Sequence, residues 1–209
     1  MRRLLVLAAV ALAAAAAAWP SLAADTQIGS VTRMQGEAFW RAGSAPALLS
    51  VGAPVFSNQK VATGADARLE LTFDDGTQLT LGEHAEMTLD TFVYDPAQGT
   101  GKMALAVKGA FRFVSGQVTK QPNAQVAVAT PVATVGIRGT EFWGGPIDDQ
   151  SLGVFLIDGA VTVSNAAGEQ VLDAPGQGTN ILNPGDAPGE VTIWPQDKVD
   201  RAIATVTFQ

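Results

Sequence analysis

Beyond residue 25, apolar side chains recur at every second position in short runs, and Gly, Pro, Asn or Asp brackets nearly every run. Alternation with period two turns one side of an extended chain toward a core and the other toward water, so the pattern predicts strands; helical spacing is nearly absent. The clearest unit is a hairpin: Arg68 to Phe73, a turn at Asp74-Asp75-Gly76, and a return strand from Gln78 to Leu81. Leu69, Leu71 and Phe73 share one side with Leu79 and Leu81, while Arg68, Glu70 and Thr72 are expected in water. A slip of one residue would expose the whole apolar set, so this register is expected to be firm. The same alternation marks Met103-Leu105-Val107, Val126-Val128, Leu152-Val154-Leu156 and Val161-Val163.

Only the end of the chain departs from this pattern. Pro195 to Ile203 sets Val199 and Ile203 four apart behind a proline suited to a first helical turn, which predicts a short closing helix. The preceding Asn183-Pro184-Gly185-Asp186-Ala187-Pro188-Gly189 reads as loop. A weak internal repeat aligns Ala106–Phe113 with Leu156–Val163 at a spacing of 50 and predicts two equivalent strand–glycine–strand corners at Gly109 and Gly159. No long linker divides the chain, so a single β domain from about residue 26 to 209 is expected.

Residues 1–24 have the organisation of a secretory signal peptide: Arg2 and Arg3, an apolar run from Leu4 to Ala18, then Ala23 and Ala24 at the exit. The run is too short and too rich in alanine to favour a spanning helix. Cleavage near Ala24 or Asp25 is therefore expected, giving a periplasmic or secreted protein without a membrane span. Without Arg2 and Arg3 the 13 basic residues fall to 11 against 20 acidic ones, a net charge near −9. That balance argues against nucleic acid and anionic lipid surfaces. The chain has no cysteine, which excludes disulfides, thiolate metal sites and a cysteine nucleophile, so burial alone must hold the fold.

Candidate chemistry is sparse. His84 is the single histidine; Glu83 and Glu86 lie nearby, but no paired-histidine spacing accompanies them, and an exposed turn is the expected reading. Asp74-Asp75 and Asp148-Asp149 offer oxygen ligands of the kind calcium takes, yet neither follows a calcium-loop pattern, so no metal and no cofactor are expected. No G-x-S-x-G elbow supplies a serine nucleophile, Gly144-Gly145-Pro146 lacks the rest of a phosphate loop, and nothing singles out a carboxylate pair. Trp40, Trp143 and Trp194, with Phe39, Phe142 and Tyr94, could stack on a sugar if exposed. Trp143 and Phe142 must point to opposite faces of one strand.

Thr130 to Phe142, reading T-P-V-A-T-V-G-I-R-G-T-E-F, is too patterned for a generic strand. Together with Asp158-Gly159-Ala160-Val161-Thr162-Val163 and the upstream Val107–Gly116, it resembles the FecR-domain family, whose hallmark is T-P-x-A-x-x-G-[IV]-R-G-T-x-F followed by a D-G-x-V-x-V strand. The resemblance covers roughly residues 50 to 180 and implies an antiparallel β-sandwich of jelly-roll type. It makes Thr130, Pro131, Gly136, Arg138, Gly139, Thr140, Phe142, Asp158 and Gly159 the signature residues, structural or partner-binding. Gly136 and Gly139 would allow positive φ or close backbone approach on either side of Arg138, and Glu141 or Asp158 would hold the guanidinium at a corner. Relatives of this type relay an iron-siderophore signal to a cytoplasmic sigma factor. Here only Met1-Arg2-Arg3 precede the apolar run, so that architecture is not expected. The expectation is a non-catalytic periplasmic module that binds an envelope protein, with Trp143, Asp148 and Asp149 as candidate surface. A glycan- or peptidoglycan-binding module is the alternative, and an undetected hydrolase the third reading.

Overall fold

The computed structural model describes residues 26–42, 45–148 and 150–209; the expected signal peptide and Asp149 lie outside the described residues. In chain order the strands are β1 (Gln27–Gln35), β2 (Ala38–Ala42), β3 (Ala45–Leu48), β4 (Pro54–Phe56), β5 (Lys60–Thr63), β6 (Arg68–Phe73), β7 (Gln78–Leu81), β8 (Glu86–Asp95), β9 (Thr100–Lys108), β10 (Phe111–Val114), β11 (Gln125–Ala129), β12 (Thr134–Ile147), β13 (Gln150–Asn165), β14 (Gly168–Leu172), β15 (Gln177–Ile181) and β16 (Thr192–Ile193). A 3-10 turn (Gln117–Lys120) follows β10, and one helix, α1 (Gln196–Ala204), comes near the end.

The long β12–β13 hairpin organises all of them. One edge of β12 pairs with β11 over Thr134–Gly136 and with β10 over Glu141–Gly144. Along its other edge β13 pairs from Thr134–Ser164 to Ile147–Gln150, and β13 in turn takes β14 at Val161–Asn165 and β15 at Leu152–Phe155. The first half of β12 therefore continues the strip β3-β2-β5-β8-β9-β11, here half A, and its second half continues β10-β7-β6-β1-β4, half B.

Glycines make the passage between halves. The β12–β13 register shifts between Arg138 and Glu141, where Gly139 (φ +55°) and Gly159 (φ +82°) face each other. A Cβ on Gly159 would meet the Gly139 carbonyl oxygen at 2.1 Å, so only glycine fits. Gly109 (φ +97°) does the same between β9 and β10, against Ala85. Both corners expected from the internal repeat are present.

The inner faces share one core: Leu69, Leu71, Leu79, Leu81, Phe111, Phe113 and Phe142 from half B with Met87, Leu89, Leu105, Val128 and Val135 from half A. The predicted β6–β7 hairpin has the expected register, Leu69 opposite Leu81 and Leu71 opposite Leu79. Arg68 departs from expectation: it is buried, because the C-terminal segment lies over it, and its guanidinium donates to the carbonyls of Ala67 and Ala204. The all-β class and the closing helix match the sequence reading. The jelly-roll arrangement is not what the pairing draws: the sheet is continuous and curled, and β9 runs parallel to β11. A hairpin that bends at its glycines, instead of breaking, keeps the two halves in one sheet.

Candidate functional site

The signature segment opens on a turn built by its first residue. Thr130 Oγ1 accepts from the amides of Val132 and Ala133 and donates to the Ala133 carbonyl at 2.8 Å, while Pro131 stays exposed. Strand alternation then buries Val135 and turns Thr134, Gly136 and Arg138 to the outer face. At the kink, the Thr140 amide donates to Ser115 Oγ at 2.8 Å and its hydroxyl donates to the Asp158 carbonyl at 2.5 Å, so Thr140 ties β12 to β13 and to the residue that follows β10. Phe142 points inward, buried between Phe111 and Phe113 at ring separations of 5.6 and 5.7 Å.

Two expectations are corrected here. Arg138 is not held by Glu141 or Asp158: Glu141 is taken by Arg112, whose Nε and Nη2 donate to Oε1 at 2.9 and 2.5 Å, and Arg138 is exposed with no partner among the described residues. The cause is the bulge, which leaves Arg138 in register with Ala160 and turns Glu141 beyond Gly139 toward β10. Gly136 needs neither positive φ nor close approach, since the nearest atoms to an added Cβ belong to Thr162 at 3.8 Å. Gly139 does take positive φ, in open space.

Trp143 is fully buried, and so does not form the exposed stacking surface the glycan alternative needed. It sits on the outer side of half B in a second apolar cluster with Phe155, Trp194, Ala202 and Val206, and its Nε1 donates to Thr205 Oγ1 at 3.0 Å. Asp148, in left-handed geometry (φ +52°), clamps α1 by accepting two bonds from Arg201 at 3.0 and 3.1 Å, with Lys198 at 3.8 Å. Arg201 also bonds Asp197, and this contact holds the Asp197 carboxyl below its ordinary range. Partial burial pushes the Lys198 ammonium down, against the pull of Asp148. The candidate surface of Trp143 and Asp148 is thus the anchorage of the C-terminal helix. Trp40 and Tyr94 pack, half-buried, against the main core.

The acidic turn at Asp74-Asp75 is also structural. Asp75 is buried, and its oxygens accept from the Thr77 amide and hydroxyl and from the Val118 amide, capping the 3-10 turn. Among the described residues no three His, Cys, Asp or Glu side chains converge as a metal site, and no helix is long and apolar enough to cross a membrane. His84 is exposed at φ +51° and borders a largely apolar hollow of about 500 Å³ with Lys108, Thr130, Pro131, Pro146 and Leu152. Sequence reading missed Lys102 and Lys108 as surface features. The signal was present, because burial of Met103, Leu105 and Val107 obliges Lys102, Ala104, Ala106 and Lys108 to share the opposite face.

The signature turn, kink and outward arginine all fall within the span of one family model: the model described as FecR protein covers residues 59–162, from just before β5 into β13. This chain is a FecR-domain protein. Two solved chains share the FecR-domain protein's fold, both a candidate anti-sigma factor from Parabacteroides distasonis ATCC 8503. One, at 1.65 Å resolution, has a TM-score of 0.56 and 17% identity over 69% of this chain and 64% of its own. The other, at 2.50 Å, has a TM-score of 0.55 and 16% identity over 69% and 63%. The present chain spans just under two thirds of those solved chains, and at such identity the likeness is one of fold. No curated protein matches this sequence.

Proposed function

We propose that this FecR-domain chain is a non-catalytic, regulatory binding module of the cell envelope. It is exported by its leader, works in the periplasm or outside the cell without a cofactor, and docks a protein partner as a sensor or scaffold component. The observation that carries this reading is Arg138. The kink raises a planar five-donor cation on the outer face and leaves it without a carboxylate among the described residues, while the neighbouring Arg112 is satisfied. A guanidinium that merely locked the corner would have taken Glu141. The family match and the fold shared with candidate anti-sigma factors support regulation over catalysis.

The test is photo-crosslinking in the producing cell from a benzoylphenylalanine placed at Thr134 or Arg138, followed by mass spectrometry of the adducts. Repeated capture of the same envelope protein from both positions is expected. Capture of muropeptides alone, or of nothing from these or any other surface position, would sink the reading.

A further inference from the structure

The two halves of the sheet treat their outer faces differently. On half B the chain covers itself. Trp194, α1 and the C-terminal tail lie over Trp143 and Phe155, Arg33 stacks on Phe208 with its guanidinium carbon 4.1 Å from the ring centre, and the Gln209 amide reaches Gln35. The cations there are used internally, Arg112 by Glu141 and Arg201 by Asp148 and Asp197. On half A the register places Lys60, Thr88, Ala106, Ala129 and Thr134 in one outward row. Thr91, Ala104, Ala127, Gly136 and Thr162 form the next. Lys102, Lys108 and Arg138 border these rows, exposed, and none has a partner among the described residues; Lys60 bonds Glu86 at 2.7 Å.

In a chain of net charge −7 this concentration of unsatisfied cations is selective. Two shallow hollows lie along β9, one of about 420 Å³ beside Lys102 and one of about 330 Å³ beside Lys60 and Lys108. Six residues of strand separate Lys102 from Lys108, roughly 20 Å, and two strand spacings separate Lys102 from Arg138, roughly 10 Å. Between them stand only Ala, Gly, Thr and Gln side chains, so a partner backbone can approach the sheet closely. Gly136, which neither φ nor internal packing requires, adds no side chain there and leaves a low point in that surface.

We propose that this face, over β8, β9, β11 and the first half of β12, docks an acidic polypeptide segment of the partner. The segment lies along β9 with carboxylates at Lys102 and Arg138 on one end and at Lys108 on the other. The inference rests on the binding-module reading and names the surface and the partner's chemistry. A polypeptide is favoured over an anionic membrane because the protein's overall negative charge opposes approach to an extended anionic surface, whereas a local acidic segment meets only this patch.

The mature protein, isotope-labelled, is titrated with a polyglutamate peptide at low salt and followed by amide NMR. Shifts are expected to cluster at Ala104, Ala106, Ala127, Ala129 and Gly136. Affinity should fall at least tenfold in K102E/K108E/R138E and also in Gly136→Leu, which keeps every charge but fills the low point; thermal unfolding verifies that both variants fold. Shifts confined to other surfaces, affinity unchanged in both variants, or preferential binding of phosphatidylglycerol vesicles or polygalacturonate to this face would each overturn the proposal. In the cell, crosslinkers at Ala104 and Ala127 are compared with crosslinkers at Asp173 and Glu190. Adducts from the first pair that vanish in K102E/K108E/R138E support the face. Adducts from the second pair only overturn it while leaving the module reading standing, and adducts from none bring down both.

Discussion

At one end of the β12–β13 hairpin, Thr134, Gly136 and Arg138 stand in an outer face that nothing in the described chain covers. At the other, Trp143 and Phe155 occupy the same side of the same strands under Trp194 and α1. The glycines record the difference. A Cβ on Gly153 would meet Ile147 at 2.8 Å and one on Gly178 would meet the Trp194 ring at 2.2 Å, whereas one on Gly136 would meet nothing closer than 3.8 Å. Aromatic and glycine-rich residues at the covered end are there to pack. Small residues at the bare end keep a surface low. Composition alone does not separate the two roles; coverage does.

The strongest way to break the comparison is to empty the covered end. Trp143→Ala should lower unfolding free energy by about 3–5 kcal/mol in a denaturant titration, through the cavity and the lost bond to Thr205. A loss under about 1 kcal/mol would mean that the second cluster is peripheral. Next comes the hinge between the ends: Gly159→Ala combines positive φ with a clash against Gly139, and should cost about 2–3 kcal/mol by the same measurement. The helix clamp is weaker. Asp148→Asn keeps a side chain tolerant of left-handed geometry but loses the ion pairs with Arg201, and should cost no more than about 1 kcal/mol.

The bare end should respond with opposite sign: Gly136→Ala removes unfolded-chain freedom without strain and should stabilise by about 0.5 kcal/mol. Destabilisation there would show that Gly136 is packed after all. The smallest effect is acid sensitivity. Asp197 titrates below its usual value of 3.8 because Arg201 bonds its ionised form, so its contribution is complete above that value and is lost as pH falls through the lowered one. Trp194 fluorescence should therefore report loosening of α1 in that acid range, with a smaller response in Asp197→Asn.

The strands and the closing helix were legible because burial imposes periods. Arg68–Leu81 gave both its register and its core residues, and Val199 with Ile203 marked α1 to within one residue. The glycine corners at 109 and 159 were legible from their repeat. Partner choice across the kink was not. Glu141 is three residues from Arg138 but bonds Arg112, 29 residues away, because the bulge at Gly139 changes which neighbours face each other. The fate of Trp143 was equally hidden: alternation placed it opposite Phe142, yet whether that side met water depended on Trp194 and α1, some 50 residues later. The outward lysines of β9 follow from the inward Met103, Leu105 and Val107, and only the open face gives them meaning.

The hairpin also has a kinetic side. Its strands close through a turn at Asp148, so it forms at small loop-closure cost, while the pairings of β1 with β6 and of β10 with β12 join segments far apart in sequence. Once closed, it offers the free edge of β12 to both halves of the sheet, and each half can zip onto its own end of that edge. Refolding should therefore be rate-limited by assembly around the residue 134–165 ribbon.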